Sequence, residues 1–176
     1  ALAHLADRLH PRLVVLTNFC RDQLDRYGEL DHVAAAIDSA LNRVGSSLPV
    51  VLNADDPGVS SLGRERQATF YGLEAEGTSC DWASPLEHYT CPACRADLAY
   101  RQTYLGHYGD WYCPSCGQGR PARRIAAARI LQDEETDGSS FHLRLGEEEI
   151  QVRLPLPGLQ NIYNALAAAG AAAQLG

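Results

Sequence analysis

The chain has 176 residues, enough for one ordinary domain with a small addition, and 45% of them are hydrophobic, enough for a real core. The formal net charge is −7, a poor match for a phosphate backbone, so we expect no nucleic-acid partner. No apolar run approaches the ~18 residues of a membrane helix and no secretory leader is visible, so we expect no transmembrane segment.

The chain holds no Met, and all 15 of its basic residues are Arg. We read it as a piece of a longer protein. Without Lys it cannot hold a complete Walker-type phosphate loop, whose Lys reaches the terminal phosphates. Six cysteines are present. Cys20 and Cys80 stand alone and read as ordinary, partly buried thiols. A chain with this much core needs no disulfides, which points to a reducing, cytoplasmic compartment.

In chain order, "RLVVLTN" (12–18) is an apolar, β-branched run that predicts a buried strand. "DHVAAAIDSALNRVG" (31–45) places Val33, Ile37, Ala40, Leu41 and Val44 at helical spacing, with Asp31 to cap the start and Gly45 to end it. "LPVVLNADDPG" (48–58) predicts a second buried strand running into an Asp-Asp-Pro-Gly turn, and "QATFYGL" (67–73) a third strand. Strand, helix, strand at this spacing is a βαβ unit, so the sheet is expected to be parallel here.

Next comes "HYTCPACRADLAYRQTYLGHYGDWYCPSCGQGRP", which starts at His88. Cys91, Cys94, Cys113 and Cys116 have the two-CxxC spacing of a four-thiolate zinc site. Each CxxC turn can aim two sulfurs at one ion, and Pro92 and Pro114 stiffen the turns. Four thiolates leave no open position for water, so the zinc is expected to be structural. The other readings of the set are a redox pair or unligated thiols. The set is complete without His88 and His107, which read as surface residues. The segment is expected to be a small insertion folded by its metal. Cys91→Ser is therefore expected to disorder residues 88–121 and leave the flanking sheet folded.

Beyond it, "RIAAARILQDEE", "SSFHLRLGEEE" and "IQVRLPLPG" nearly alternate, with turn residues at Asp137-Gly138 and Gly146, and predict antiparallel strands. "LQNIYNALAAAGAAAQLG" predicts an Ala-rich closing helix that starts near Asn161. No internal repeat is apparent. The fold class is α/β.

Three of these stretches resemble the Mur ligase family, in order and over most of the chain. "LTNFCRDQLDRYGELD" (16–31) resembles a segment that in the family reads roughly T-N-x-x-x-D-H-x-D-x-x-G. "VVLNADDP" (50–57) resembles the family's next strand and turn, and "PGLQNIYNALAAAGAA" (157–172) its G-x-H-N-x-x-N-x-x-A-A motif. Gln23 in place of His, with a four-cysteine ribbon inserted before the last motif, resembles the MurT branch, the Mur ligase-like subunits of lipid II isoglutaminyl synthase.

This resemblance implies a partial P-loop ATPase-type central domain: 1–87 its first part, 88–121 the zinc ribbon, 122–176 the remainder. It implies a fragment, inactive alone, of a glutamine-dependent amidating ligase. That enzyme converts D-glutamate of the lipid II stem peptide to D-isoglutamine, using ATP, Mg²⁺ and ammonia from a GatD-like glutaminase in a heterodimer. It would work in the cytoplasm, at the inner face of the membrane. Asn161 and Asn164 would face the adenine, as an amide both donates and accepts at a purine edge; Asn161 equally suits a helix cap.

Asp22, Gln23 and Arg26 would line the phosphate and metal region. Gln at position 23 offers a weaker metal ligand than the family's His, and Arg26 can equally pair with Asp22. Asp55 and Asp56 would contact nucleotide or metal, or else form a solvated turn. Two other readings stay open: an amino-acid-adding Mur or folylpolyglutamate-type ligase, and a non-enzymatic zinc-ribbon binding module. Gln23, the missing Lys and the ribbon weigh against the former; the acidic charge weighs against the latter.

Overall fold

Val50, Val51, Leu52 and Asn53 are all buried, so the strand they form is covered on both faces. Side chains alternate across a strand, and here each face has its own core. Val50 and Leu52 pack with Phe19, Leu41, Leu48, Val59 and Leu62 on one side. Val51 packs with Tyr71, Leu73, Ile125, Ile162, Tyr163 and Leu166 on the other. This arrangement comes from a computed structural model that describes residues 10–19, 29–45, 47–74, 89–133 and 138–176.

The described elements are β1 (Val14–Leu16), α1 (Glu29–Val44), β2 (Val50–Asn53), α2 (Pro57–Ser61), β3 (Ala68–Leu73), β4 (Ala99–Leu105), β5 (Tyr108–Tyr112), β6 (Ile125–Asp133), β7 (Gly138–Leu145), β8 (Glu148–Leu154) and α3 (Leu159–Leu175). One six-stranded sheet runs β1-β2-β3-β6-β7-β8, and β4-β5 forms a separate hairpin. β1, β2, β3 and β6 pair in parallel, with Val14 opposite Val50, Val50 opposite Ala68 and Tyr71 opposite Ile125. β6, β7 and β8 pair antiparallel. The expected βαβ start and antiparallel finish thus belong to a single mixed sheet, because β6 docks against β3.

Several local expectations need adjusting. α1 starts at Glu29, two residues before Asp31, and ends at Gly45, whose φ of +121° suits glycine. Val33, placed on the apolar stripe, is 39% exposed. The Asp-Asp-Pro-Gly stretch is no open turn: Asp56 caps α2, with Pro57 in its first turn. α3 is capped by Gly158 at φ +88°, not by Asn161. Farther along α3, Gly170 lets the helix approach the sheet; a Cβ there would stand 2.7 Å from Val51 Cγ1. No described helix is long and apolar enough to cross a membrane.

The cysteine segment lies in the connection between parallel strands β3 and β6. Such a crossover usually carries a helix that covers the sheet. Here the β4-β5 hairpin supplies Tyr104 and Tyr108 to the same core as Leu73, Ile125 and Tyr163. The ribbon therefore shares the sheet's core instead of standing apart from it.

Candidate functional site

Two turns of the same construction bring the four cysteines together. In the first, the Arg95 N–H donates to Cys91 O at 2.9 Å and the Cys91 N–H to Ala96 O at 2.7 Å. In the second, the Gly117 N–H donates to Cys113 O at 3.0 Å and the Cys113 N–H to Gln118 O at 2.6 Å. Arg95 and Gly117, four residues after the first cysteine of each pair, both take positive φ, at 65° and 74°. The two knuckles are thus a structural repeat, which a search for sequence repeats passes over because Arg and Gly are unlike residues.

All four sulfurs lie within 4.8 Å of one another. Cys91 Sγ and Cys116 Sγ are 3.6 Å apart, and Cys94 Sγ and Cys113 Sγ 3.5 Å. A disulfide needs ~2.05 Å, so these are separate thiols. Four sulfurs about 2.3 Å from one tetrahedral ion would stand about 3.8 Å apart, close to what is found. The protons respond as a crowded thiol cluster should. The Cys116 N–H is the main influence on Cys113 and brings its thiol down to about 7. Against the pull of the Gln118 N–H, burial and the three neighbouring sulfurs push Cys116 up to about 12. A divalent cation removes that mutual repulsion and lets all four ionise. The donor set fits a closed thiolate metal centre.

The ribbon is fastened to the sheet through the loop after β2. Asn53 shapes that loop: its Nδ2 donates to Thr17 O at 3.1 Å and its Oδ1 accepts from the Asp55 N–H at 3.0 Å. Trp111 Nε1 donates to Ala54 O at 2.9 Å, and the Gly109 N–H to Asp55 O at 3.0 Å. Asp55 is fully buried. Its Oδ1 accepts from Arg120 Nη1 at 2.9 Å, and its Oδ2 from the Leu73 N–H at 2.7 Å and Tyr163 Oη at 2.8 Å. Burial raises the Asp55 carboxyl above its ordinary value, and Arg120, Leu73 and Tyr163 each oppose that rise.

Asp56 is 1% exposed. Its Oδ1 caps α2 through the Gly58 and Val59 N–H groups, and its Oδ2 accepts from the Phe19 N–H at 3.0 Å. His107 Nε2 lies 3.2 Å from the same Oδ2, and its ring stacks on Tyr89. His107 is thus a docking residue with a side chain only 16% exposed, not a surface one. The solvated-turn reading of Asp55 and Asp56 is likewise overturned, since both carboxylates face protein donors, and Asp55, fully buried, has no exposed surface with which to contact nucleotide or metal directly.

Asn161 and Asn164 sit one turn apart near the start of α3, the first half-buried and the second exposed. Asn161 Nδ2 donates to Pro157 O at 2.7 Å, which uses one of an amide's four hydrogen-bonding positions. Tyr163, between them, reaches Asp55 beneath. Tyr163 therefore ties Asp55 to the turn of α3 that carries the asparagine pair. Asp22, Gln23 and Arg26 lie outside the described residues, as do Cys20, Cys80 and His88. Arg120, His107, Trp111 and Tyr163 carry the docking and escaped the sequence reading. The available signal was Arg120, the first of three Arg residues between the second cysteine pair and the strand that re-enters the sheet.

Gly72 lies flat against the Asp55 carboxylate, and a Cβ there would stand 2.5 Å from Oδ1. Gly72→Ala is expected to lower stability by about 1–3 kcal/mol, by displacing a carboxylate that has no other place to go. Urea denaturation measures this. A change below about 0.5 kcal/mol, the range of a neutral surface substitution, would show that the carboxylate is not fixed.

No protein-family model matches the chain. It is 31% identical over 181 aligned positions to the lipid II isoglutaminyl synthase (glutamine-hydrolyzing) subunit MurT of Streptococcus pneumoniae, covering 100% of this chain and 38% of that one. The chain thus spans well under half the length of that relative. Among solved structures, a pseudomurein peptide ligase type C from Methanothermus fervidus superposes with a TM-score of 0.82 at 31% identity, covering 98% of this chain and 33% of that one. MurF from Acinetobacter baumannii shares the fold at 14% identity, with a TM-score of 0.60 over 99% of this chain and 28% of that one.

Proposed function

We infer, for a chain that belongs among the Mur ligase-like proteins and is similar to MurT along its whole length, that its parent protein is an ATP-dependent amidating ligase. The observation that carries this reading is the whole-length similarity to a MurT subunit, with the four-cysteine ribbon seated on the ligase fold. The substrate is the D-glutamate α-carboxyl of the lipid II stem peptide. A carboxylate oxygen attacks the terminal phosphorus of ATP, ADP leaves, and an acyl phosphate remains. Ammonia then attacks the carbonyl carbon and phosphate departs, leaving the amide. The ammonia comes from a GatD-like glutaminase subunit. The work is done in the cytoplasm, at the inner membrane face.

In this reading Asn161 and Asn164 hold the adenine edge, and Asp55 supports them from beneath. Asp22, Gln23 and Arg26 serve the phosphate and Mg²⁺ region, where charge neutralisation is the main requirement. Cys91, Cys94, Cys113 and Cys116 hold a structural zinc that takes no part in the chemistry.

The test uses the full-length parent protein with its glutaminase, ATP, Mg²⁺, glutamine and lipid II. The stem peptide is expected to lose about one mass unit as hydroxyl is replaced by amine. A glutaminase that turns over while the peptide mass stays fixed would return the protein to an unassigned ligase.

A further inference from the structure

α3 begins without a side-chain cap, since its N-cap is Gly158. Besides the Gly158 N–H, which donates to Gln132 Oε1 on β6 at 3.2 Å, and the packing of Leu159 and Ile162 on the sheet, two grips near this end lead to the ribbon. Tyr163 is 2% exposed and sits between Asn161 and Asn164 in sequence. Burial, and then the Asp55 charge, push its phenol well above the ordinary value, so it stays a neutral donor. Its hydroxyl donates to Asp55, and its ring meets that of Tyr108 edge-on, with centroids 5.2 Å apart at 75°. Tyr108 belongs to the ribbon hairpin.

The second grip also returns to the ribbon. Arg120, with a side chain 6% exposed, neutralises Asp55 at 2.9 Å. The same Nη1 reaches Tyr104 Oη at 3.2 Å and Leu73 O at 3.3 Å. The Arg120 N–H donates to Trp111 O at 2.9 Å, closing the second cysteine knuckle onto the hairpin. One chain of contacts thus runs from the knuckle through Arg120 and Asp55 to Tyr163.

We propose that Arg120, Asp55 and Tyr163 form a positioning relay through which the cysteine ribbon sets the first turns of α3, and so the placement of Asn161 and Asn164 against the nucleotide. This rests on the reading of those two asparagines as nucleotide contacts. The relay touches no reacting atom. It removes freedom from the helix end, and a binding site on a fixed element loses less entropy on binding.

The experiment measures ADP affinity of the full-length parent by calorimetry, well below each variant's melting temperature, with metal content assayed in parallel. Tyr163→Phe keeps the ring and removes one hydrogen bond to a charged group. It is expected to weaken ADP by about tenfold at unchanged metal content. Arg120→Lys is expected to retain more affinity than Arg120→Ala. Leu41→Ala on α1, in the separate core on the other face of the sheet, controls for lost stability and is expected to leave ADP affinity unchanged.

Two results would overturn the relay. If Asn161→Ala weakens ADP but Tyr163→Phe does not, the nucleotide reading survives and the relay fails. If neither asparagine variant alters ADP affinity, the nucleotide reading itself fails and takes the relay with it. Arg120→Ala is the variant most at risk of misfolding, and Tyr163→Phe keeps the test decisive without it.

Discussion

Cys91→Ser is expected to melt the whole described body, not the ribbon alone. A structural zinc site contributes about 10–16 kcal/mol to the fold that binds it, against a net domain stability of about 5–15 kcal/mol. If the ribbon were a self-contained insertion, that loss would stay inside it. The packing says otherwise. Tyr104 and Tyr108 lie in one core with Val51, Leu73, Ile125 and Tyr163, and Trp111, His107 and Arg120 are bonded to the loop after β2. Losing the ribbon would open the α3 face of the sheet and strand the Asp55 charge. Hydrogen exchange is the measurement, with the amides of Val51 and Leu52 as reporters of the central sheet. We expect their protection to fall together with that of residues 89–121, and chelation of the wild type to do the same. Exchange confined to 89–121, with β2 and β3 still protected, would show that the ribbon is energetically separate.

Arg120→Ala is expected to cost about 3–5 kcal/mol, the usual penalty for leaving one member of a buried ion pair alone. Its signature is a dependence on pH. Burial raises the Asp55 carboxyl, and Arg120 is the largest influence that opposes the rise. Without Arg120 the folded carboxyl rises further, while the unfolded value stays near ~3.9. A folded value above the unfolded one means that the folded state binds the proton more tightly. The variant's deficit is therefore small below the unfolded value and grows as pH rises through the folded one. Urea titrations at pH 5 and pH 8 are expected to show a larger gap from wild type at pH 8. Asp55→Asn in the same background is expected to restore most of the loss at pH 8. A deficit that ignores pH and is not rescued would trace the cost to lost packing around the guanidinium instead.

Much of the fold was legible because its signals are local. β1, β2, β3 and α3 fall within the stretches marked by apolar runs and helical spacing, and the four cysteines are marked by spacing alone. What escaped is what depends on partners distant in sequence. Asp55 and Asp56 look like a hydrated turn until Arg120, Tyr163, His107 and Phe19 are brought to them, and those partners lie 37 to 108 positions away. His107 read as a surface residue for the same reason. The pairing of β6 with β3 was invisible because β6 alternates like any hairpin strand, while its parallel partner lies across the ribbon. The proposed phosphate-facing residues Asp22, Gln23 and Arg26 rest on family resemblance alone.

The parallel pairing of Tyr71 with Ile125 and Leu73 with Ala127 also bears on how the chain assembles. Bringing β3 and β6 together closes a loop of about fifty residues, and loop-closure entropy rises with the logarithm of length. A knuckle pair that has captured its ion already shortens that loop to roughly half, a gain of about 0.6 kcal/mol in the closing step. The gain falls on the folding rate, since non-local strand pairing limits the speed of sheets like this one. With a metal in the proposed site, its supply during synthesis would set how long β6, β7 and β8 wait with an unpaired edge. A cell short of the ion would meet the defect first as slow folding and aggregation of new chains, while molecules already folded kept working.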